Sequence, residues 1–318
     1  MKPVLTIVNS PFTTPLLAEV KAVAPEYEVR TVPPRTDGAD LADTEILFGL
    51  VKDPSVLQKA VKLRWHQTPS AGVDPYCRLG VYHTEEVVLT NSSGAYGIGI
   101  AEHLVTMTLV LLRRVREYDR KQQAHDWSAA GPLRSLYGAT VLIVGLGDIG
   151  GEFAARLRPF GCRIIGVRRS GAAHPLADET ITPDCLPHAL GRADVVALCL
   201  PETAETKRLF DRQMLAHCKR GAVLLNVGRG SALELGALKE ALDDGLLSGA
   251  ALDVTDPEPL PQDSPLWDMQ QVFITPHMSG GNSLDGNVQR IGRLFLDNLA
   301  RYRAGEPLHQ VVDRKAGY

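Results

Sequence analysis

Six residues, Gly145-Leu146-Gly147-Asp148-Ile149-Gly150, separate an apolar, β-branched run at 139–144 from a helical pattern that reaches residue 160. A second apolar run follows at 162–167. Strand, glycine turn, helix and strand within about thirty residues form a unit that binds dinucleotides. Gly145 would make the tight turn, Gly147 would let the backbone approach a pyrophosphate, and Gly150 would let the helix pack close to the strand. Amides at the start of the helix then point at the phosphates, and the helix dipole favours their charge. A bare glycine pattern also arises as an ordinary strand-to-helix turn in a chain with 29 glycines, so its context matters. The end of the second strand separates the dinucleotides. Where NAD-binding units place an acid to accept the ribose hydroxyls, this chain has Arg168-Arg169-Ser170. Two guanidiniums and a hydroxyl suit a 2′-phosphate, so NADP(H) is expected to be preferred, with NAD(H) possible. Solvated surface charge is the other reading of these arginines.

Three more residues combine charge or a transferable proton with a place near a strand end. Arg229 stands between Gly228 and Gly230 after the run 222–227. Glu258 lies in Asp256-Pro257-Glu258-Pro259 after 250–254, and His277 follows Thr275-Pro276 after 272–275. Ligands of open α/β sheets bind at the carboxyl ends of the strands, so three distant segments would deliver side chains to one sheet edge. An arginine fork matches a carboxylate at two points and stays charged at any working pH. A carboxylate beside a histidine favours the protonated ring near neutrality. Taken singly, the three read as a turn arginine, a loop charge and a structural histidine.

The elements that must carry these residues follow from periodicity. Residues 4–8, 29–32, 46–50, 63–66 and 87–90 are strand candidates, with helical stretches at 15–24 and 54–61. Strands separated by helices imply a parallel sheet covered on both faces. A second series of strands is expected at 139–144, 162–167, 195–200, 222–227, 250–254 and 272–275, with helices at 212–218 and 233–243. The expected fold is α/β: two doubly wound parallel-sheet domains, one Rossmann-type and one flavodoxin-like, with a cleft between them. Residues 1–95 and 284–318, including a closing helix near 288–303, are expected to form the substrate-binding domain, and 96–283 the dinucleotide-binding domain. Ile100, Leu104, Met107, Leu111, Val115 and Tyr118 make one continuous apolar stripe over 100–123. Burial between domains or against a second subunit would each explain it. Residues 96–126 are therefore expected to be a linking and dimerisation helix, and a twofold homodimer is the expected assembly.

A chain of 318 residues suggests two domains. Net charge of −3 without a long run of one sign argues against nucleic acid or an anionic membrane as partner. The longest apolar stretch, 104–112, is nine residues, whereas a membrane span needs about twenty. The first residues run straight into a strand pattern without a secretory design. Five scattered cysteines with no C-x-x-C point to a reduced, cytoplasmic protein, and no metal site is expected.

Several landmarks stand in a fixed order. They are Ser70-Ala71-Gly72-Val73-Asp74, Ala101-Glu102-His103, the glycine turn, Cys199-Leu200-Pro201, Asn226-Val227-Gly228-Arg229-Gly230, Leu252-Asp253-Val254 with Glu258-Pro259, and Thr275-Pro276-His277. This order resembles the D-isomer-specific 2-hydroxyacid dehydrogenase family over nearly the whole chain. Within that family it is most similar to the short NADPH-dependent reductases of glyoxylate or hydroxypyruvate. The resemblance implies a catalytic triad of Arg229, Glu258 and His277 acting on a small 2-oxo or 2-hydroxy acid. It also implies that Ser70, Ala71 and Gly72, with Arg229 and His277, bind that substrate, the amides of Ala71 and Gly72 holding its carboxylate. Asp253 would accept from the nicotinamide carboxamide, and Leu200 and Pro201 would line the adenosine side. Asp148, Ile149, Val227, Gly228 and Gly280 complete the expected cofactor contacts, and Tyr96 and Trp267 are further candidates for the substrate. The chain departs from the family where the arginine motif continues as Ser231-Ala232-Leu233-Glu234 instead of Val-Asp or Val-Asn, and where Ser70-Ala71-Gly72 replaces Gly-x-Gly. It also stops at Tyr318, without the regulatory extension of some phosphoglycerate dehydrogenases. Two alternatives remain: oxidation of phosphoglycerate or another larger hydroxy acid with NAD, and a dinucleotide-sensing, corepressor-like binding protein. The second would want a basic face or a disordered tail, which this chain lacks.

Overall fold

A computed structural model describes residues 2–9, 13–281, 284 and 286–317. The chain divides into two compact units, one of Met1–Tyr96 with Asn282–Tyr318 and one of Gly97–Gly281. Residue 283, where the dinucleotide domain was expected to end, lies outside the described residues.

The first unit carries β1 (Val4–Val8), α1 (Thr13–Val23), β2 (Glu28–Val32), β3 (Thr44–Phe48), β4 (Trp65–Gln67) and β5 (Val88–Thr90). All pairs are parallel and the order is β2-β1-β3-β4-β5, the flavodoxin-like order. β1 is buried along its whole length, as a parallel strand covered on both faces must be. Residues 54–61 hold a short 3₁₀ helix, Pro54–Lys59, instead of an α-helix. The Asp53 side chain caps it, accepting from Ser55 N at 3.0 Å.

The second unit opens with α2 (Gly97–Leu112) and α3 (Val115–Gln123). Then come β6 (Thr140–Val144), α4 (Asp148–Leu157), β7 (Arg163–Val167), β8 (Glu179–Ile181), α5 (Leu186–Leu190), β9 (Val195–Leu198) and α6 (Arg212–Leu215). It closes with β10 (Ala222–Asn226), α7 (Leu235–Asp243), β11 (Leu247–Leu252) and β12 (Val272–Ile274). The sheet is parallel in the order β12-β11-β10-β9-β6-β7-β8, the Rossmann order with one strand added at the end. β8 and α5 are absent from the sequence expectation. β8 is a three-residue edge strand of half-buried Glu179, Thr180 and Ile181, too polar to announce itself.

The stripe over 100–123 is not one helix. Ile100, Leu104, Met107 and Leu112 are buried, and α2 packs on α4, β10 and β11 of its own unit. That packing buries one face of α2, while Ile98 is exposed and Val105, Leu109, Val110 and Leu111 are half-buried. The helix then stops: Leu112 O accepts from Arg134 N at 3.0 Å, and Arg114 turns left-handed at φ 53. α3 resumes with Val115 and Tyr118 exposed.

The last helix, α8 (Asn287–Ala304), belongs to the first unit. Ile291, Phe295, Asn298 and Leu299 form its buried stripe. Phe295 stacks on Phe48 with ring centres 4.3 Å apart and lies 5.4 Å from Trp65, so the helix is seated on β3 and β4 by aromatic packing.

Candidate active site

Because every pair in the seven-stranded sheet is parallel, all its carboxyl ends share one edge. The sheet order fixes what stands where along it. His277 follows β12, Asp253 and Glu258 follow β11, Arg229 follows β10, and Leu200-Pro201 follow β9. The glycine turn follows β6, and Arg168 follows β7. Strand order reverses between β9 and β6, which is where open α/β sheets bind ligands.

The glycine turn has the form a pyrophosphate needs. Gly145 has φ 101, and a Cβ there would stand 2.5 Å from the Cys199 carbonyl oxygen. A Cβ on Gly150 would stand 2.3 Å from the Gly145 carbonyl oxygen, so α4 starts hard against the turn. A Cβ on Gly147 would meet nothing within 4 Å, which leaves its backbone open to approach at the start of α4. These features fit a bound dinucleotide. The Asp148 carboxylate faces Gly97 at the start of α2, where a Cβ would lie 2.8 Å from Oδ2. Arg168 is half-buried and Arg169 and Ser170 are exposed, in a tight turn closed by Gly171 N donating to Arg168 O at 3.1 Å.

His277 and Glu258 meet at the other end of the edge, and Arg229 stands at the end of β10 between them and the glycine turn. His277 Nδ1 lies 2.7 Å from Glu258 Oε1, with the two side chains 50% and 44% exposed, so the pair is open to a ligand. The carboxylate can only accept, so Nδ1 carries a proton and Nε2 is left for chemistry. Arg229 is half-buried in an extended conformation. Asn226 braces its turn, accepting from Gly228 N and donating to Arg229 O, each at 3.1 Å. The turn also runs against the loop after β11: a Cβ on Gly230 would lie 2.0 Å from Thr255 O, so only glycine fits. Val227 and Gly228 are buried beside it, and Gly280 is half-buried after His277.

Asp253, the expected acceptor for the carboxamide, is also engaged within the chain. Its side chain is 0% exposed, and its oxygens accept from Thr275 Oγ1 at 2.6 Å, Met278 N at 3.0 Å and Ser279 N at 3.1 Å. Burial alone would raise its carboxyl, but the bonds from Ser279, Thr275 and Met278 outweigh burial and hold it below the usual range. The carboxylate is thus buried among donors of its own chain. Thr275 and His103 complete this cluster and were not expected as site residues; Ala101-Glu102-His103 stood out in the sequence without a role. Trp267 is 47% exposed, and its Nε1 donates to Pro261 O at 2.8 Å.

In the first unit, Ser70-Ala71-Gly72 follow β4 in a loop whose carbonyls are all engaged. Thr68 O accepts from Ser92 Oγ, Pro69 O from Tyr96 Oη, Ser70 O from Ser92 N, Ala71 O from Asn91 Nδ2, and Gly72 O from Ser70 Oγ. In a trans peptide the N–H points opposite the preceding C=O, so the amides of Ala71 and Gly72 face away from these bonds. Tyr96, buried, acts on this loop through Pro69.

Residues 105–279 match the family model of the D-isomer specific 2-hydroxyacid dehydrogenase NAD binding domain. The chain belongs to that family. It is similar to a glyoxylate reductase of Korarchaeum cryptofilum, with 31% identity over 86% of this chain and 84% of that protein. It is also 31% identical to a D-3-phosphoglycerate dehydrogenase of Mycobacterium leprae, over 94% of this chain but 57% of that one. An NADPH-dependent glyoxylate/hydroxypyruvate reductase from Sinorhizobium meliloti, solved with NADP and sulfate, superposes with a TM-score of 0.86 at 29% identity, over 100% of both chains. As a member of this dehydrogenase family, the chain is an NAD(P)-dependent oxidoreductase. No helix among its described residues is long and apolar enough to cross a membrane.

Proposed function

We propose that this dehydrogenase reduces a small 2-oxo acid of the glyoxylate or hydroxypyruvate kind to the D-2-hydroxy acid, with NADPH preferred. The observation that carries the reading is the His277–Glu258 pair, 2.7 Å apart at the same sheet edge as Arg229. The bound nicotinamide supplies the hydride. Arg229 holds the substrate carboxylate and polarises the carbonyl, and His277 gives its Nε2 proton to the carbonyl oxygen as charge develops there. Glu258 keeps the ring oriented by accepting from Nδ1. In the first unit, the amides of Ala71 and Gly72, opposite carbonyls that are already engaged, are donors of the kind a carboxylate takes. The phosphoglycerate dehydrogenase relative favours a second reading, oxidation of a larger hydroxy acid. A panel of 2-oxo acids and 3-phosphoglycerate, assayed with both cofactors in both redox states, decides between them.

Cofactor choice is tested at the end of β7. A lost charge-assisted contact costs about 1.5–3 kcal/mol, roughly 10- to 150-fold in affinity. Arg168→Asp is therefore expected to cut the NADPH-over-NADH ratio of kcat/KM at least about tenfold. Equal kcat/KM for the two cofactors in the parent would dismiss the preference.

Glu258→Gln is expected to stay active with a lower kcat, because the amide oxygen can still accept from Nδ1 but no longer brings a charge to the ring. A parental kcat in a folded variant would remove Glu258 from this role.

We also propose a homodimer. The reading rests on the exposed apolar side chains Val115, Tyr118, Trp127 and Tyr137, Trp127 being 102% exposed. Light scattering at micromolar concentration should give twice the chain mass of 34.5 kDa, and the monomer mass alone would refute it.

A further inference from the structure

We propose that Thr275 and His103 are positioning residues for His277, acting together through Asp253; this rests on reading His277 as the proton donor. Counting protons fixes the direction of each contact. The Asp253 carboxylate can only accept, and Thr275 Oγ1 lies 2.6 Å from its Oδ1, so the single hydroxyl proton of Thr275 goes to Asp253. The same hydroxyl then accepts from His103 Nε2, 3.2 Å away, so the His103 ring carries its proton on Nε2. Burial lowers the tendency of His103 to take a second proton, against the pull of Asp253 3.9 Å away.

This relay ends on the turn that carries the acid. Asp253 accepts from Met278 N and Ser279 N through its carboxylate and from His277 N, at 2.8 Å, through its carbonyl. One residue thus grips the turn on both sides of His277. The grip is needed because His277 sits at φ 50, a left-handed conformation that a residue with a Cβ holds only when its surroundings impose it. His103 stands 172 residues before Thr275, on α2, which is itself packed on α4, β10 and β11. The contact therefore ties the turn to a rigid part of the same unit. Glu258, 2.7 Å from the ring, is the charged group that faces His277, and the buried Asp253 holds the backbone beneath it.

Thr275→Val keeps the shape and removes the hydroxyl, and Thr275→Ser returns it. His103→Leu removes the ring donor, and His103→Gln offers an amide N–H at similar reach. In the valine and leucine variants kcat with glyoxylate should fall about tenfold, with KM and the Kd for NADPH held within about twofold. The serine and glutamine variants should recover most of the loss. A second readout needs no turnover: the His277 ring resonances, assigned by their absence from His277→Gln, should change chemical shift in the valine and leucine variants, because the ring is no longer held against Glu258. The serine and glutamine variants should keep the parental ring shifts. A folded Thr275→Val or His103→Leu with parental kcat and parental ring shifts overturns the proposal; if the valine variant does not fold, the leucine variant decides. A His277→Gln variant with parental kcat would instead sink the proton-donor reading, and the ring shifts would still judge the positioning.

Discussion

His277→Ala is expected to lower kcat for 2-oxo acid reduction by about 10²–10⁴, the usual worth of general acid catalysis. The Kd for NADPH, read by fluorescence titration, should stay at the parental value, because the ring sits at the β12 end of the edge and the glycine turn follows β6, four strands along. The loss should appear in kcat and kcat/KM alike, as expected for an interaction made as charge develops on the carbonyl oxygen. Two features of the site set this expectation. Nδ1 is committed to Glu258, which leaves Nε2 as the donor, and the ring is 50% exposed, so a substrate oxygen can reach it. A kcat within about threefold of the parent would assign the proton to another group.

Much of this arrangement was legible from local pattern. The strand, glycine turn and helix of 139–167 are contiguous, and part of their geometry is set by residues a few positions apart: a Cβ on Gly150 would run into the Gly145 carbonyl. That both sheets are parallel also follows from buried runs such as β1 and β10, whose side chains are buried throughout. What periodicity missed was decided at a distance. The stripe over 100–123 keeps its phase through Leu111 and Val115, yet the helix breaks because Arg134, far along the chain, donates to the Leu112 carbonyl. Asp253 reads as an acid near a strand end, free to meet a ligand, until Thr275 and Ser279 are seen to claim it from 22 and 26 residues away. His103 had a landmark but no partner in the sequence, because its partner lies on another element of the fold.

Arg229→Ala should harm binding and chemistry together. A guanidinium on the substrate carboxylate stabilises the ground state, and the same group near the carbonyl stabilises the developing alkoxide. Removing a donor of this kind costs about 10²–10³ in kcat, and KM for the 2-oxo acid should rise as well. Arg229→Lys restores charge without the planar fork, so it should recover KM more than kcat. The backbone should tolerate both changes: Asn226 holds the turn through main-chain atoms of Gly228 and Arg229, and Gly230 provides the contact with Thr255. Loss of activity with an unchanged melting temperature would therefore report on the side chain alone. Free guanidinium added to Arg229→Ala should return part of kcat, since it supplies the missing charge in the space the side chain leaves. A variant that raised KM and kept the parental kcat would confine Arg229 to ground-state binding and leave His277 as the residue on which the alkoxide depends.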